Sequence, residues 1–296
     1  MMYVAPFSLP GWLKPHQYIN RSFSDLNINE VNAIKTGLSK LQSSEPEISI
    51  IIPAWNEENN IFRTLSSLSA SETDKKVELI VVNNNSTDET QKILDELGIK
   101  SLFQPQQGIT YARQVGLENA KGKYHLCADS DTFYPPKWID TMVKPLEDSE
   151  KIVGVYARYA FIPEREGERF FFWVYERLAG IIIRLRKRKR EHINFLGFNM
   201  GFKTAVGLEN GGFKVKNVRK FDNILGSDDY VDESEDGRMA VNLMKSGDLH
   251  LIIDTNARVF TSSRRLLAEG GILKAFNHRF KLHTKRLSEY LNGNKI

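Results

Sequence analysis

Two short runs constrain this chain most. Ile48 to Ile52 reads ISIII and Val77 to Val82 reads VELIVV. Neither alternates apolar with polar residues, so neither suits a strand with one wet face. Continuous β-branched runs of this length mark strands covered on both sides, as in a parallel sheet. The intervening segments agree. Pro53 ends the first run, and Asn56 to Leu68 spaces Ile61, Leu65 and Leu68 along one helix face. Ser86-Thr87-Asp88-Glu89 supplies capping residues for a helix through Leu97. Ile99 to Phe103 reads as a third strand, Tyr111 to Ala120 as a helix, and Lys123 to Ala128 as a fourth strand. Strands alternating with helices of this length predict an α/β fold around a parallel sheet.

The flanks are less regular. Residues 1–46 show no clear core pattern, although Ile28 to Leu41 suits a short helix and Ser43 to Glu47 reads as a linker. Beyond 150, Ile152 to Phe161 predicts one strand and 170–190 an aromatic-basic helix. Asn199 to Phe213 reads as a strand, a helix start and a Gly-Gly turn. Asp236 to Ser246 suits a helix, Leu249 to Asp254 a strand, and Leu266 to Tyr290 a basic amphipathic helix.

Charge matters more by placement than by sum. The formal net charge is +4, yet Arg184 to Arg190 carries six cations and no acid. Arg264 to Ile296 carries eight Lys/Arg against two Glu, so the remainder is acidic. One cysteine excludes a disulfide scaffold and a Cys-rich zinc site, and Cys127 in the apolar run YHLCA reads as a packing thiol. The start of the chain lacks a charged segment followed by an apolar run, and no stretch reaches the ~18 apolar residues of a membrane span. A cytoplasmic location is expected.

In open α/β sheets, ligands bind beyond the carboxyl ends of the strands. After the first strand comes Pro53-Ala54-Trp55-Asn56-Glu57-Glu58, which is neither a dinucleotide G-x-G-x-x-G nor a P-loop. After the second comes Asn83-Asn84-Asn85-Ser86-Thr87-Asp88, either a set of amides for a base edge or a capped turn. After the fourth comes Asp129-Ser130-Asp131, two carboxylates that suit a hard divalent cation if a bend aims both inward. Asp222 to Asp236 holds seven acids and no Lys or Arg. Most read as a solvated loop, but Glu235 and Asp236 open a helix, which would hold a carboxylate rigidly enough for a general base.

Taken in order, these segments resemble glycosyltransferase family 2, the inverting type with the GT-A fold. The resemblance spans roughly Ile48 to Arg265. Pro53 to Glu58 is similar to the family's P-x-x-N-E segment, and Asn83 to Asp88 stands where the family has D-D-G-S-x-D. Gly108, Ala112, Arg113, Gly116, Ala120 and Gly122 match its G-x-x-x-A-R-N-x-G-x-x-x-A-x-G run, with Gln114 at the Asn position. Asp129 and Asp131 match its D-x-D, and Glu235-Asp236 its E-D pair. Asn199-Met200-Gly201-Phe202 and Gly211-Gly212-Phe213 resemble its acceptor-side motifs. Two departures stand out. Asn83 and Asn84 replace family acids, and Val259 to Arg265 lacks the His that often helps hold the metal.

The resemblance implies a mostly parallel sheet flanked by helices, with a nucleotide-sugar half (47–135) merged with an acceptor half (136–265). Residues 1–46 would form an extension and 266–296 a basic helix. It implies transfer of a sugar, hexosyl in type, from a nucleotide-diphosphate donor to a hydroxyl or lipid phosphate, in cell-envelope polysaccharide or glycolipid synthesis. Pro53, Trp55, Glu57, Asn84, Arg113 and Asp129 would contact the donor. Asp131, with Asp129, would hold Mg²⁺ or Mn²⁺. Asp236, beside Glu235, would take the proton from the acceptor. Arg264 and Arg265 would neutralise the leaving diphosphate or, alternatively, are surface arginines. The competing functions are a catalytically silent nucleotide-sugar-binding scaffold and a sugar nucleotidyltransferase.

The basic segments suggest a partner. Phe170 to Leu185 on a helix places Glu176, Gly180 and Arg184 on a narrow polar stripe, with the rest apolar or aromatic, and six cations follow from Arg184. An apolar helix ending in a cationic run suits the surface of an anionic membrane, with 266–290 adding to the same face. The alternatives are a core helix with a solvated charge run, or a nucleic-acid patch, for which no motif is present.

Overall fold

The fold comes from a computed structural model that describes residues 7–164, 167–214, 234–264, 266, 271, 274–278 and 281. Ten strands form two sheets. In chain order the strands are β1 (Ile48–Ala54), β2 (Val77–Asn83), β3 (Lys100–Phe103), β4 (Tyr124–Cys127), β5 (Thr132–Phe133), β6 (Ile152–Ala157), β7 (Tyr159–Ile162), β8 (Met200–Lys203), β9 (Asp248–Ile252) and β10 (Val259–Ser262). The large sheet runs β3-β2-β1-β4-β8-β6-β9. All its neighbours pair in parallel except β8, which is antiparallel to both β4 and β6. A small sheet, β5-β10-β7, stands beside it. The fold is α/β with a mostly parallel sheet, as the two opening runs require.

Those runs are buried along their whole length. Period-two alternation divides them between two cores. Ile48, Ile50, Ile52, Val77, Leu79 and Val81 face the larger one. It is covered by α1 (Ile28–Ser39), α2 (Ile61–Ser69), α3 (Thr90–Leu97) and α5 (Trp138–Asp148). Ile51, Ile80 and Val82 face α4 (Ile109–Asn119) through Ala112. Gly116 lets α4 approach this closely, because a Cβ there would collide with Ile51. Cys127 is buried with Met200, Phe202 and Phe213, and burial pushes its thiol well above the ordinary range.

Three expectations change. The helix expected from Asn56 begins only at Ile61, because Asn56 takes a left-handed φ of 51° and the chain turns there. The single strand expected over Ile152 to Phe161 breaks at Arg158. β6 stays in the large sheet while β7 joins the small one. Asn199 enforces the break, its buried amide donating to Arg158 O at 2.8 Å. Residues 7–46 do carry core positions: Phe23, Ile34, Leu38 and Leu41 join the main core, and Leu13 packs with Phe133, Ala160 and Phe260. α6 (Glu168–Arg186), α7 (Thr204–Glu209) and α8 (Glu235–Leu243) complete the helices that matter here. Among the described residues, no helix is long and apolar enough to cross a membrane.

Candidate active site

The carboxyl ends of β1, β2 and β4 meet at one edge of the sheet. Pro53 is buried near the end of β1, and Trp55 follows half-buried. The turn beyond is fastened to the β2–α3 loop. Asn56 N donates to Ser86 Oγ at 3.0 Å, Thr87 N to Asn56 Oδ1 at 2.8 Å, and Glu57 N to Thr90 Oγ1 at 2.8 Å. Glu58 N donates to Asp88 Oδ2 at 3.1 Å. Asn85 takes a left-handed φ of 62°, which Asn tolerates better than most residues.

Asn83 and Asn84, the departures from family acids, are both buried. Asn83 Nδ2 donates to Gln91 Oε1 at 2.8 Å, and Ser86 N donates to Asn83 Oδ1 at 2.9 Å. Asn84 Nδ2 donates to Gln104 O at 3.0 Å and to Gln106 O at 2.7 Å, while Gly108 N donates to Asn84 Oδ1 at 2.9 Å. A carboxylate could accept from Gly108, but it could not donate to the two carbonyls. The amide edge of Asn84 is thus engaged in holding the β3–α4 loop.

Two charged groups stand at this edge. In the first, Arg264 Nη2 donates to Glu57 Oε1 at 2.9 Å and to Asp131 Oδ2 at 3.0 Å. Arg264 follows β10 and is the more exposed partner, while both carboxylates are largely covered. Burial pushes the Glu57 carboxyl up; Arg264 opposes this and Asp131 adds to it.

The second group joins the two halves of the chain. Arg113, buried on α4, donates through Nη2 to Asp129 Oδ1 at 2.7 Å, and its Nε lies 3.7 Å from Asp236 Oδ1. Burial penalises the guanidinium charge, but Asp129 and Asp236 outweigh it and keep Arg113 firmly protonated. Asp236 lies in the first turn of α8, next to buried Glu235, with Ser234 capping the helix through Gly237 N. Gly197 N donates to Asp236 Oδ2 at 2.8 Å, whereas buried Oδ1 accepts no hydrogen bond among the described residues. Burial and the neighbouring Glu235 push the Asp236 carboxyl up to about 7, against the pull of Arg113.

Several positioning residues escaped the sequence reading. Gly197 is one, since a Cβ there would collide with the Arg113 guanidinium and with Asp236 Oδ1. Its signal is only a glycine two residues before the Asn199-Met200 motif. Tyr134 is another. Asp129 N donates to its hydroxyl at 2.8 Å, and the hydroxyl donates to Phe198 O at 3.0 Å, tying the D-x-D turn to the Gly197 loop. Asn199 accepts from Trp138 Nε1 at 2.9 Å and donates to Ala257 O at 2.9 Å.

The structure therefore gathers Glu57, Asp131 and Arg264 into one group, and Arg113, Asp129 and Asp236 into another. Arg113 stands between carboxylates rather than facing an open cleft. Arg265 and the acids from Asp222 to Glu233 lie outside the described residues. No group of three or more His, Cys, Asp or Glu among the described residues could hold a metal by itself. Asp129 and Asp131 are oxygen donors of the kind a hard divalent cation takes, and each is paired here with a different arginine, Arg113 and Arg264.

Known proteins agree with this architecture. Glycosyltransferase GlyA of Streptococcus pneumoniae is 31% identical over 132 residues, 43% of this chain and 19% of that protein. Dolichol-phosphate mannosyltransferase of Saccharomyces cerevisiae is 32% identical over 123 residues, 38% of this chain and 45% of that protein. The chain thus matches under half the length of either relative. Among solved structures, Staphylococcus aureus TarS 1–349 superimposes with a TM-score of 0.54 at 17% identity, covering 83% of this chain and 75% of that one. The mannosyltransferase PcManGT of Pyrobaculum calidifontis, in complex with GDP-Man and Mn²⁺, gives 0.52 at 16% identity, covering 86% and 71%. At these identities the two structures show the shared fold. The family description "Glycosyl transferase family 2" matches residues 49–207, more than half of the sequence, and the chain belongs to that family.

Proposed function

We propose that this glycosyltransferase moves a sugar from a nucleotide-diphosphate donor to an acceptor hydroxyl, inverting the anomeric centre, with Asp236 as general base. The observation that carries this reading is the Asp236 carboxylate itself. One oxygen is fixed by Gly197 N, the other is buried without a hydrogen bond among the described residues, and the group is raised to about 7. A base of that strength is matched to deprotonating a hydroxyl near neutral pH. Attack on C1 from the face opposite the leaving group then gives inversion in one displacement.

The donor half is 47–135 and the acceptor half 136–265, with 1–46 and 266–296 outside them. Pro53, Trp55, Glu57 and Asn84 border the donor pocket, Asn84 by shaping its loop. Asp131 and Asp129 would hold Mg²⁺ or Mn²⁺, which supplies Lewis-acid stabilisation of the leaving diphosphate when bound. The Mn²⁺ and GDP-Man in the PcManGT structure support that donor class. Arg264 offers a cation to the phosphate oxygens, and Arg113 orients Asp129 and Asp236. Peripheral attachment to an anionic membrane belongs to the same reading.

The test is a pair of variants. Asp236→Asn is expected to lower kcat by about 10²–10⁴-fold while leaving donor binding close to wild type. Asp131→Ala is expected to abolish the EDTA-sensitive part of donor binding measured by calorimetry. Turnover of Asp236→Asn within a few-fold of wild type would overturn the base assignment. Release of pyrophosphate instead of a nucleoside diphosphate would favour the nucleotidyltransferase alternative.

A further inference from the structure

A cavity of about 410 Å³ lies between α6 and the segments around Arg158, Ile253 and Arg258. Its lining includes four arginines, Arg158, Arg177, Arg184 and Arg258, and a single carboxylate, Glu176. Glu176 does not balance them. Its Oε1 already accepts from Arg169 Nη1 at 2.7 Å and from Phe161 N at 2.9 Å. Its Oε2 accepts from Arg169 Nη2 at 2.8 Å and Arg258 Nη2 at 2.6 Å. Among the described residues, Arg158, Arg177 and Arg184 have no carboxylate partner, and Arg177 lies 5.3 Å from the Trp173 ring centroid. The narrow polar stripe Glu176-Gly180-Arg184 is therefore one wall of a cationic cavity.

The same lining is also apolar where it meets solvent. Ile181 is 53% exposed and Ile253 62%. The exposed side of α6 continues through Phe171, Val174 and Leu178. Six cations follow from Arg184 to Arg190 at the end of the helix. Guanidinium groups suit phosphate oxygens, which they meet with paired donors. A soluble anion would need only the arginines. Exposed isoleucines beside them suit a phosphate carried on hydrocarbon.

We propose that this cavity binds the phosphate of an anionic membrane lipid headgroup and holds the outer face of α6 against the bilayer. Arg158 supports the reading: burial first, then Arg184 and Arg177, pull its guanidinium below the ordinary value, a penalty that a bound anion relieves. The proposal rests on the membrane-attachment reading for its source of phosphate, but not on the transfer chemistry.

Four full-chain proteins decide it, all in EDTA. Wild type is expected to float with vesicles of phosphatidylglycerol and phosphatidylcholine, and not with phosphatidylcholine alone. Wild type is also expected to bind inorganic pyrophosphate by calorimetry. Arg158→Gln with Arg184→Gln is expected to weaken both by about tenfold or more. The paired Lys variant at the same positions should recover vesicle binding, which a folding defect would not allow. Val174→Gln with Leu178→Gln, both on exposed positions outside the cavity lining, should weaken flotation and keep pyrophosphate binding. Equal binding of both probes by wild type and the Gln pair overturns the site. Pyrophosphate binding lost in the Gln pair, with no preference of wild type for phosphatidylglycerol, overturns the lipid source. Donor hydrolysis by the same preparations reads the transfer function separately, so failure of one reading is not failure of the other.

Discussion

Arg113 shows how much a single buried group organises this fold. Its guanidinium touches Asp129 after β4 and lies beside Asp236 at the start of α8. Removing it leaves two carboxylates without their counter-charge. Arg113→Met is expected to cost roughly 3–5 kcal/mol in urea unfolding above neutral pH. The loss should be smaller below pH 7, where Asp236 can take up a proton instead. The sign for Asp236 follows from its raised carboxyl. Between the unfolded value of 3.8 and about 7, the folded chain holds a proton that the unfolded chain has released. Its contribution therefore favours the fold below pH 4 and is lost as pH rises through 7. Activity runs the other way. The acid limb of kcat/KM is expected to have its midpoint near 7, and Arg113→Met should move that midpoint to higher pH. A flat profile from pH 5 to 8, set by about tenfold changes in proton activity per unit, would contradict the role of Asp236. The sequence identifies Arg113, Asp129 and Asp236 separately through local motifs. Their joining was not legible, because it depends on Gly197, which acts through its backbone N–H and the side chain it lacks.

Elements were legible in proportion to how far local pattern decides them. β1, β2 and β4 follow directly from buried apolar runs, since each is covered on both faces. The division of Ile152 to Phe161 into β6 and β7 does not, because the cause is the Asn199 amide on another segment. The β3–α4 loop presents the same problem in reverse. Asn84 reads from its place at a strand end either as an amide for a base edge or as part of a capped turn, and its side chain here fastens the loop. Asn84→Asp, which restores the family's acid, is expected to destabilise the chain. Its carboxylate would face Gln104 O and Gln106 O, two carbonyls that need donors. An unsatisfied buried group costs about 1–3 kcal/mol, so thermal unfolding should shift down and donor affinity should fall with loop order. Unchanged stability in this variant would mean that the loop is held by other contacts.

At the scale of the whole molecule, residues 7–46, which precede the family match, contribute side chains to the core. Leu38 is fully buried against the sheet-covering helices, although its surrounding sequence shows no strong pattern. Leu38→Ala is expected to lower stability by about 2–5 kcal/mol, as for other large-to-small core changes, and urea denaturation would measure it. The pattern was weak there because α1 offers only two fully buried positions, Ile34 and Leu38, with Val31 partly buried beside them.

The antiparallel strand β8 has a mechanical consequence. It pairs with β4 over four residues and with β6 over three, so the halves carrying Asp129 and Asp236 share one unbroken sheet. Neither half can swing over the other without tearing strand hydrogen bonds from the middle of the molecule. Substrate capture must therefore be an affair of edges: turns reshape while the strands beneath stay fixed. Such a fold behaves like a bench with movable clamps rather than like a jaw. Hydrogen exchange should register this as slowed amides at Asn56 to Asp88 and around Gly197 when donor binds, against unchanged protection in β4 and β8.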